Sequence, residues 1–163
     1  MDTRLGYAKG AGPNRVKLWP GYLCFIIFGV LIPFSRPDFK FTTVIYSLII
    51  AIVIGLLAIN LLILAFNSGN AALRQTDRGF AREAVGTGML LMIPFTALAV
   101  MDLVLMGWNG IMPFASAAIT TAAATAGTEA MKRGAQGTKN VMIPTLVAIV
   151  LSTAWMMLTG ILP

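Results

Sequence analysis

Two threonines and a glutamate recur at intervals of four residues in an alanine-rich segment: Thr121, Thr125 and Glu129. In a helix, this spacing places all three side chains on one face. A carboxylate at the end of a row of hydroxyls could guide a cation or a proton along a hydrated path. Lys132 and Arg133 follow Glu129 at i+3 and i+4, so an ordinary ion pair is equally available. The spacing therefore predicts either a polar path or a local ion pair.

Asp102 is the second candidate, because it interrupts an otherwise apolar run. A carboxylate at the middle of a bilayer costs roughly 2.5–3.5 kcal/mol on insertion scales, so such residues face the protein interior and have a partner. Candidate partners near the outer side are Lys40, Arg36 and Asn109, and Lys40 is the first choice. Asp102 is thus predicted to be a structural tether or part of an ion or substrate site.

Three arginines, Arg74, Arg78 and Arg82, follow each other at i+4 spacing before an apolar run. This pattern predicts a short interfacial helix with one cationic face that contacts anionic lipid and fixes topology. Recognition of an anionic ligand or of a partner's acidic surface is the alternative. Asp77 and Glu83 lie close enough in sequence to neutralise part of the stripe.

The residue types exclude several kinds of chemistry. The chain has no histidine and only one cysteine, Cys24, which lies in an apolar run and is interpreted as a packing residue. A disulfide within the chain, histidine-ligated haem or zinc, and Ser-His or Cys-His catalysis are therefore excluded. We expect no enzyme activity and no cofactor. The basic residues form no dense tract with aromatic residues between them, so no nucleic-acid partner is predicted.

The composition points to a membrane protein. Of 163 residues, 58% are hydrophobic and 11% are charged, against about 25% charged in a typical soluble domain. Residues 1–18 read as a basic cytoplasmic arm, and residues 19–163 as a single all-α bundle. Five transmembrane helices are predicted, at about 19–34, 41–66, 84–106, 111–131 and 141–162. Pro94 should kink the third of them.

The distribution of basic residues supports this span count. With five spans and a cytoplasmic N-terminus, ten lysines and arginines lie inside and two lie outside. Omitting the first span gives six against six, and omitting the fourth gives seven against five. The positive-inside rule therefore favours five spans, with the C-terminus external. The plasma membrane of a prokaryote is the expected location.

The fourth predicted span carries a stripe of small residues, Ala118, Ala122 and Ala126. Small residues let helix backbones approach closely in lipid, where apolar burial gives no driving force. This helix is predicted to be the packing centre of the bundle, the wall of a hydrated path, or an oligomer interface. The sequence thus favours a structural or accessory subunit of a membrane assembly, either a homo-oligomer or part of a larger complex. A small oligomeric transporter or channel with a polar path along this helix is the alternative.

Overall fold

A computed structural model of the chain describes residues 18–36, 40–107 and 111–161. The predicted all-helical fold is confirmed, because the regular elements of these segments are all helices. They are α1 (Trp19–Phe34), α2 (Phe41–Gly69), α3 (Ala71–Thr76), α4 (Phe80–Leu90), α5 (Met92–Met101), a π-helical turn (Asp102–Met106), α6 (Ile111–Lys132) and α7 (Lys139–Ile161). The basic arm up to residue 17, the turn at 108–110 and the last two residues lie outside the described residues.

Three helical stretches are long and apolar enough to cross a membrane. They are Phe41–Gly69, Phe80–Met106 and Lys139–Leu158, and a span needs about 20 apolar residues. α1 is apolar but has only 16 residues. α6 has 22 residues, and its alanines and threonines are only weakly hydrophobic. The chain is therefore a multi-pass membrane protein by the length and composition of its helices.

Large apolar side chains lie on the outside of the bundle. Leu57 and Leu64 on α2 are 51% and 62% exposed, and Val150 on α7 is 66% exposed. The interior combines aromatic side chains such as Trp155 and Phe28 with many small residues, including Ala51, Ala99 and most of the alanines of α6. This arrangement suits a lipid solvent, in which large aliphatic side chains face the acyl chains and small residues bring helices together.

α6 is the most enclosed helix, since it packs against α4, α5 and α7. Two glycines make these contacts close. A Cβ at Gly88 of α4 would collide with the backbone carbonyl of Ala122, and a Cβ at Gly127 of α6 would collide with the carbonyl of Asn140. The backbone of α6 is therefore in direct contact with its neighbours on both sides.

The third apolar stretch is not one straight helix. It is interrupted at Leu91, three residues before Pro94, where the N–H of Leu91 donates to the carbonyl of Gly88 at 3.1 Å. Proline has no N–H for the carbonyl four residues earlier, so the helix breaks just before it. The same stretch ends in the π-helical turn, which Gly107 terminates with φ of 63°.

α1 begins deeper in the bundle than its neighbours. Gly21 lies against Met89, nine residues into α4, or about 13 Å along the helix at 1.5 Å per residue. Phe25 lies against Gly55 near the middle of α2. The start of α1 is therefore set well back from the end of the bundle where α2 finishes and α4 begins.

Candidate functional site

Charged side chains converge on Arg133 at the end of the bundle where α4 begins. Its Nη1 lies 2.6 Å from Oε2 of Glu83 and 3.9 Å from Oδ2 of Asp77, and its Nε lies 3.3 Å from Oε1 of Glu129. These three carboxylates are half of the six acidic residues in the chain. We call Asp77, Glu83, Glu129 and Arg133 the arginine cluster.

Two helix ends position the arginine cluster. Glu83 lies in the first turn of α4, and Arg133 directly follows the last residue of α6. A carboxylate at a helix N-terminus and a cation at a helix C-terminus are both favoured by the helix dipole. The side chains of Arg133 and Glu83 are 27% and 29% exposed, so their attraction is screened less than that of a surface pair. The cluster fastens α4 and the segment before it to α6.

An asparagine pair forms a second tie at the same end of the bundle. Asn70 donates from Nδ2 to Oδ1 of Asn140 at 2.9 Å, and Asn140 donates to the carbonyls of Gln136 and Gly137 at 2.6 and 3.0 Å. Asn140 is buried. The pair joins the end of α2 to the start of α7. Sequence reasoning missed it because residues 70 positions apart leave no periodic signal.

The residues of the predicted polar path lie in two different environments: Glu129 among charged side chains, and Thr121 and Thr125 apart from them. Glu129 belongs to the arginine cluster, and Lys132 lies 3.9 Å from it. Thr121 and Thr125 are only partly buried, and within the described segments their hydroxyls donate no hydrogen bond. The hydroxyl of Thr145, by contrast, donates to the carbonyl four residues earlier at 2.6 Å.

The predicted packing stripe lies about 100° around α6 from the row of Thr121 and Thr125, because each of its residues is offset from that row by one position. Ala118, Ala122 and Ala126 are completely buried, as is Ala130 one turn later. Ala122 and Ala126 lie beside Gly88 of α4. The stripe is therefore in the interior of the bundle, while Thr121 and Thr125 lie at its edge and are partly buried.

The single cationic helix predicted for Arg74, Arg78 and Arg82 is wrong. Arg74 lies in α3 and Arg82 in α4, while Arg78 lies in the linker between them. The backbone is extended at Asp77, with φ of −134° and ψ of 92°. The carboxylate Oδ1 of Asp77 accepts the N–H of Gly79 at 3.0 Å, which closes a local turn in place of a helical one.

Asp102 is 7% exposed and begins the π-helical turn. The N–H of Gly107 donates to its backbone carbonyl. A cavity of about 580 Å³ lies beside its carboxylate and is otherwise lined by apolar side chains such as Leu98 and Phe114. A π-helical turn often marks a functional position.

The ion pair predicted between Asp102 and Lys40 is wrong. Lys40 is exposed, and in the described part of the chain no ion pair joins these two residues. The reason lies in the packing order, because α1 packs against both α2 and α5, and these two make at most slight contact with each other. Lys40 precedes α2 and Asp102 follows α5, so the two residues belong to helices that are not packed together.

The described side chains include no group of three or more His, Cys, Asp or Glu residues that could hold a metal ion. The carboxylates of the arginine cluster are instead directed at a guanidinium. No family model, curated protein or solved structure matches the chain.

Proposed function

We propose that this chain is a five-span membrane protein that serves as a structural or accessory subunit of a membrane assembly. Its contact with another helix, from a second copy or from a partner, is made by the outward face of α6. That face consists of Ala117, Thr120, Thr121, Ala124 and Thr128.

The observation that carries the proposal is the contrast between this face and the other outward faces. α2, α5 and α7 expose leucine, isoleucine, valine and methionine, which suit lipid. The outward face of α6 is partly exposed and has only alanine and threonine in its central turns. Ala117, Thr121, Ala124 and Thr128 follow at intervals of four, three and four, the spacing with which two helices pack side by side. Small and hydroxyl-bearing faces favour such contacts in membranes.

The threonine hydroxyls give additional support. Thr120 and Thr121 of this face make no side-chain hydrogen bond in the described residues, whereas Thr128 donates to the carbonyl of Thr125, and Thr96 and Thr153 donate to the carbonyl four residues earlier. A hydroxyl without an acceptor is costly in hydrocarbon. A neighbouring helix would supply the acceptors.

The membrane topology in this proposal rests on charge. Five spans with a cytoplasmic N-terminus place ten basic residues inside and two outside. The arginine cluster and the asparagine pair lie together at one end of the bundle, which this topology assigns to the cytoplasmic side. We place the protein in a prokaryotic plasma membrane.

Cross-linking within native membranes tests the subunit role. In a Cys24→Ala background, a cysteine at Ala124 should form disulfide-linked products in high yield. A matched cysteine at Leu57, on the lipid-facing side of α2, should form few. Mass measurement after gentle solubilisation should give a species heavier than one chain. A single-chain mass together with equal cross-linking at both positions would refute the proposal.

The second candidate function is a small oligomeric transporter or channel. It is favoured by the hydroxyl row from Thr121 to Thr125, which leads toward Glu129 at the end of α6. Two such rows facing each other could form a hydrated path. Purified protein in liposomes should then conduct ions, and Thr125→Val should reduce the flux while Thr153→Val on α7 leaves it unchanged. Absence of flux under all imposed ion gradients would leave only the subunit role.

A further inference from the structure

The arginine cluster leaves the arginines before it without a counter-charge. Asp77 and Glu83 are the acidic residues nearest to Arg74 and Arg78 in the sequence, and both are directed at Arg133. Arg74 and Arg78 are exposed and take part in no ion pair among the residues that the structure describes. Arg74 and Arg78, four residues apart in the sequence, are therefore left without an ion-pair partner in the described part of the chain.

These two arginines line a cavity between the last turn of α2 and α3. Its volume is about 500 Å³, and its other lining residues are Asn67 and Gln75. The lining is entirely polar or cationic, unlike the apolar cavity beside Asp102. Oδ1 of Asn67 is shielded from solvent and has no hydrogen-bond partner in the described structure; as an acceptor, it would be satisfied by a water or by a hydroxyl group of the ligand and not by an ionised phosphate oxygen.

The cavity lies where a membrane helix meets water. Asn67 is in the last turn of α2, whose apolar stretch ends at Gly69. Arg74 and Gln75 are on the short helix that follows. Phosphate groups of lipids occupy the same depth of a bilayer, and arginines close to the membrane surface are attracted to them.

We propose that this cavity is a binding site for a phosphate group. Arg74 and Arg78 would supply charge-assisted hydrogen bonds, for which the planar guanidinium is well shaped. The amides of Asn67 and Gln75 would donate further hydrogen bonds to the phosphate oxygens. The proposal rests on the membrane placement in the proposed function but not on the subunit role.

Phosphatidylglycerol and inorganic phosphate are the two probes, because a lipid headgroup and a free anion share this chemistry. The full chain in neutral detergent is titrated with each, and lipid binding is followed by native mass spectrometry and phosphate binding by thermal shift. The double variant Arg74→Gln/Arg78→Gln should bind about tenfold more weakly, equivalent to ~1.4 kcal/mol at 25 °C. The matched double variant Lys132→Gln/Lys139→Gln removes two charges at the same end and should retain binding.

Two outcomes support the site and separate its ligands. Binding of phosphatidylglycerol alone identifies a lipid headgroup, and binding of both probes shows that the free anion suffices. The double variant Arg74→Lys/Arg78→Lys, which keeps the charge but not the fork of donors, should bind with intermediate strength. Equal binding by the glutamine variant and the unmodified protein would overturn the site, as would no binding of either probe by the unmodified protein. The oligomer mass of the same samples tests the subunit role independently.

Discussion

At the scale of single residues, the structure assigns Arg133 more partners than local spacing predicts. The sequence suggests a pair between Glu129 and Arg133, because they are four residues apart in a helix, and the two side chains are in contact at 3.3 Å. The shorter contact, 2.6 Å, is with Glu83. Fifty positions separate Glu83 from Arg133, so only the antiparallel packing of α4 and α6 brings them together. Helical spacing therefore predicts the pair between Glu129 and Arg133 but not the pair between Glu83 and Arg133.

Replacement of Arg133 should therefore cost more than a helical surface pair is worth. Arg133→Gln leaves three carboxylates close together without their cation, and we expect a loss of about 1–3 kcal/mol of unfolding free energy, typical of hydrogen bonds to charged groups. Lys132→Gln is the matched control, since Lys132 is 76% exposed, and such surface pairs contribute about 0–1 kcal/mol. Unfolding in mild detergent measures both. Equal stability of the two variants would show that the arginine cluster contributes nothing.

At the scale of helices, the sequence predicts where α6 lies in the chain but not which of its sides faces inward. Apolar runs locate the helices to within a few residues, and Pro94 locates the break in the third stretch. Along α6, however, both sides carry small residues, so periodicity alone cannot separate the buried alanines from the outward threonines. The side of α6 that faces inward is determined by the close backbone contacts at Gly88 and Gly127. The turn at Asp77 can also be predicted from the sequence, because an aspartate two residues before a glycine is a common turn signal.

The two contact glycines should tolerate no side chain. Gly88→Ala and Gly127→Ala each push a methyl group into the backbone of a neighbouring helix, and we expect a loss of about 1–3 kcal/mol, as for other overpacked cores. Gly69→Ala is the matched control, because a Cβ there meets nothing within 4 Å. Alanine should be neutral or slightly stabilising at that position. Thermal unfolding of the three variants in one detergent gives the comparison. A Gly88→Ala protein as stable as Gly69→Ala would contradict the close approach of α4 and α6.

At the scale of the whole molecule, composition predicts a membrane protein, which the long apolar helices confirm, while the topology inferred from charge stays a prediction. Neither predicts the order in which the helices pack. Lys40 is the predicted partner of Asp102 because the second span begins at the face of the membrane where the third span ends. In the structure α1 packs against both α2 and α5, which make at most slight contact with each other. Sequence separation does not indicate which helices become neighbours. The position of α1 depends instead on how it fits against Ala51 and Gly55 of α2.

Reporter fusions should reveal the predicted topology. Fusions at Gln75 and Gln136 should give a cytoplasmic signal, and a fusion at Asn109 should give an external one, because basic loops are retained inside. An alkaline phosphatase and a fluorescent protein reporter at each site provide opposite signals and so control for expression. A cytoplasmic signal at Asn109 would require a different number of spans.

The set-back start of α1 has a consequence for the surrounding lipid. α1 has 16 residues, or about 24 Å of helix, against a hydrocarbon core of about 30 Å. In the proposed five-span topology α1 crosses the membrane and is partly exposed along its length, so the lipid on that flank would contact a helix shorter than the hydrocarbon core. Hydrophobic mismatch of this kind is relieved by thinning the adjacent lipid or by oligomerising.

We therefore expect higher thermal stability in dimyristoyl than in dierucoyl phosphatidylcholine bilayers. A variant with four leucines inserted after Leu18, which lengthens α1 by about 6 Å, should shift the preference toward the thicker bilayer. An unchanged preference would show that α1 does not set it. If α1 does set the preferred bilayer thickness, the protein deforms the membrane only on the flank where α1 lies. Copies that share such a deformation would gather with their α1 flanks together, even without direct contact.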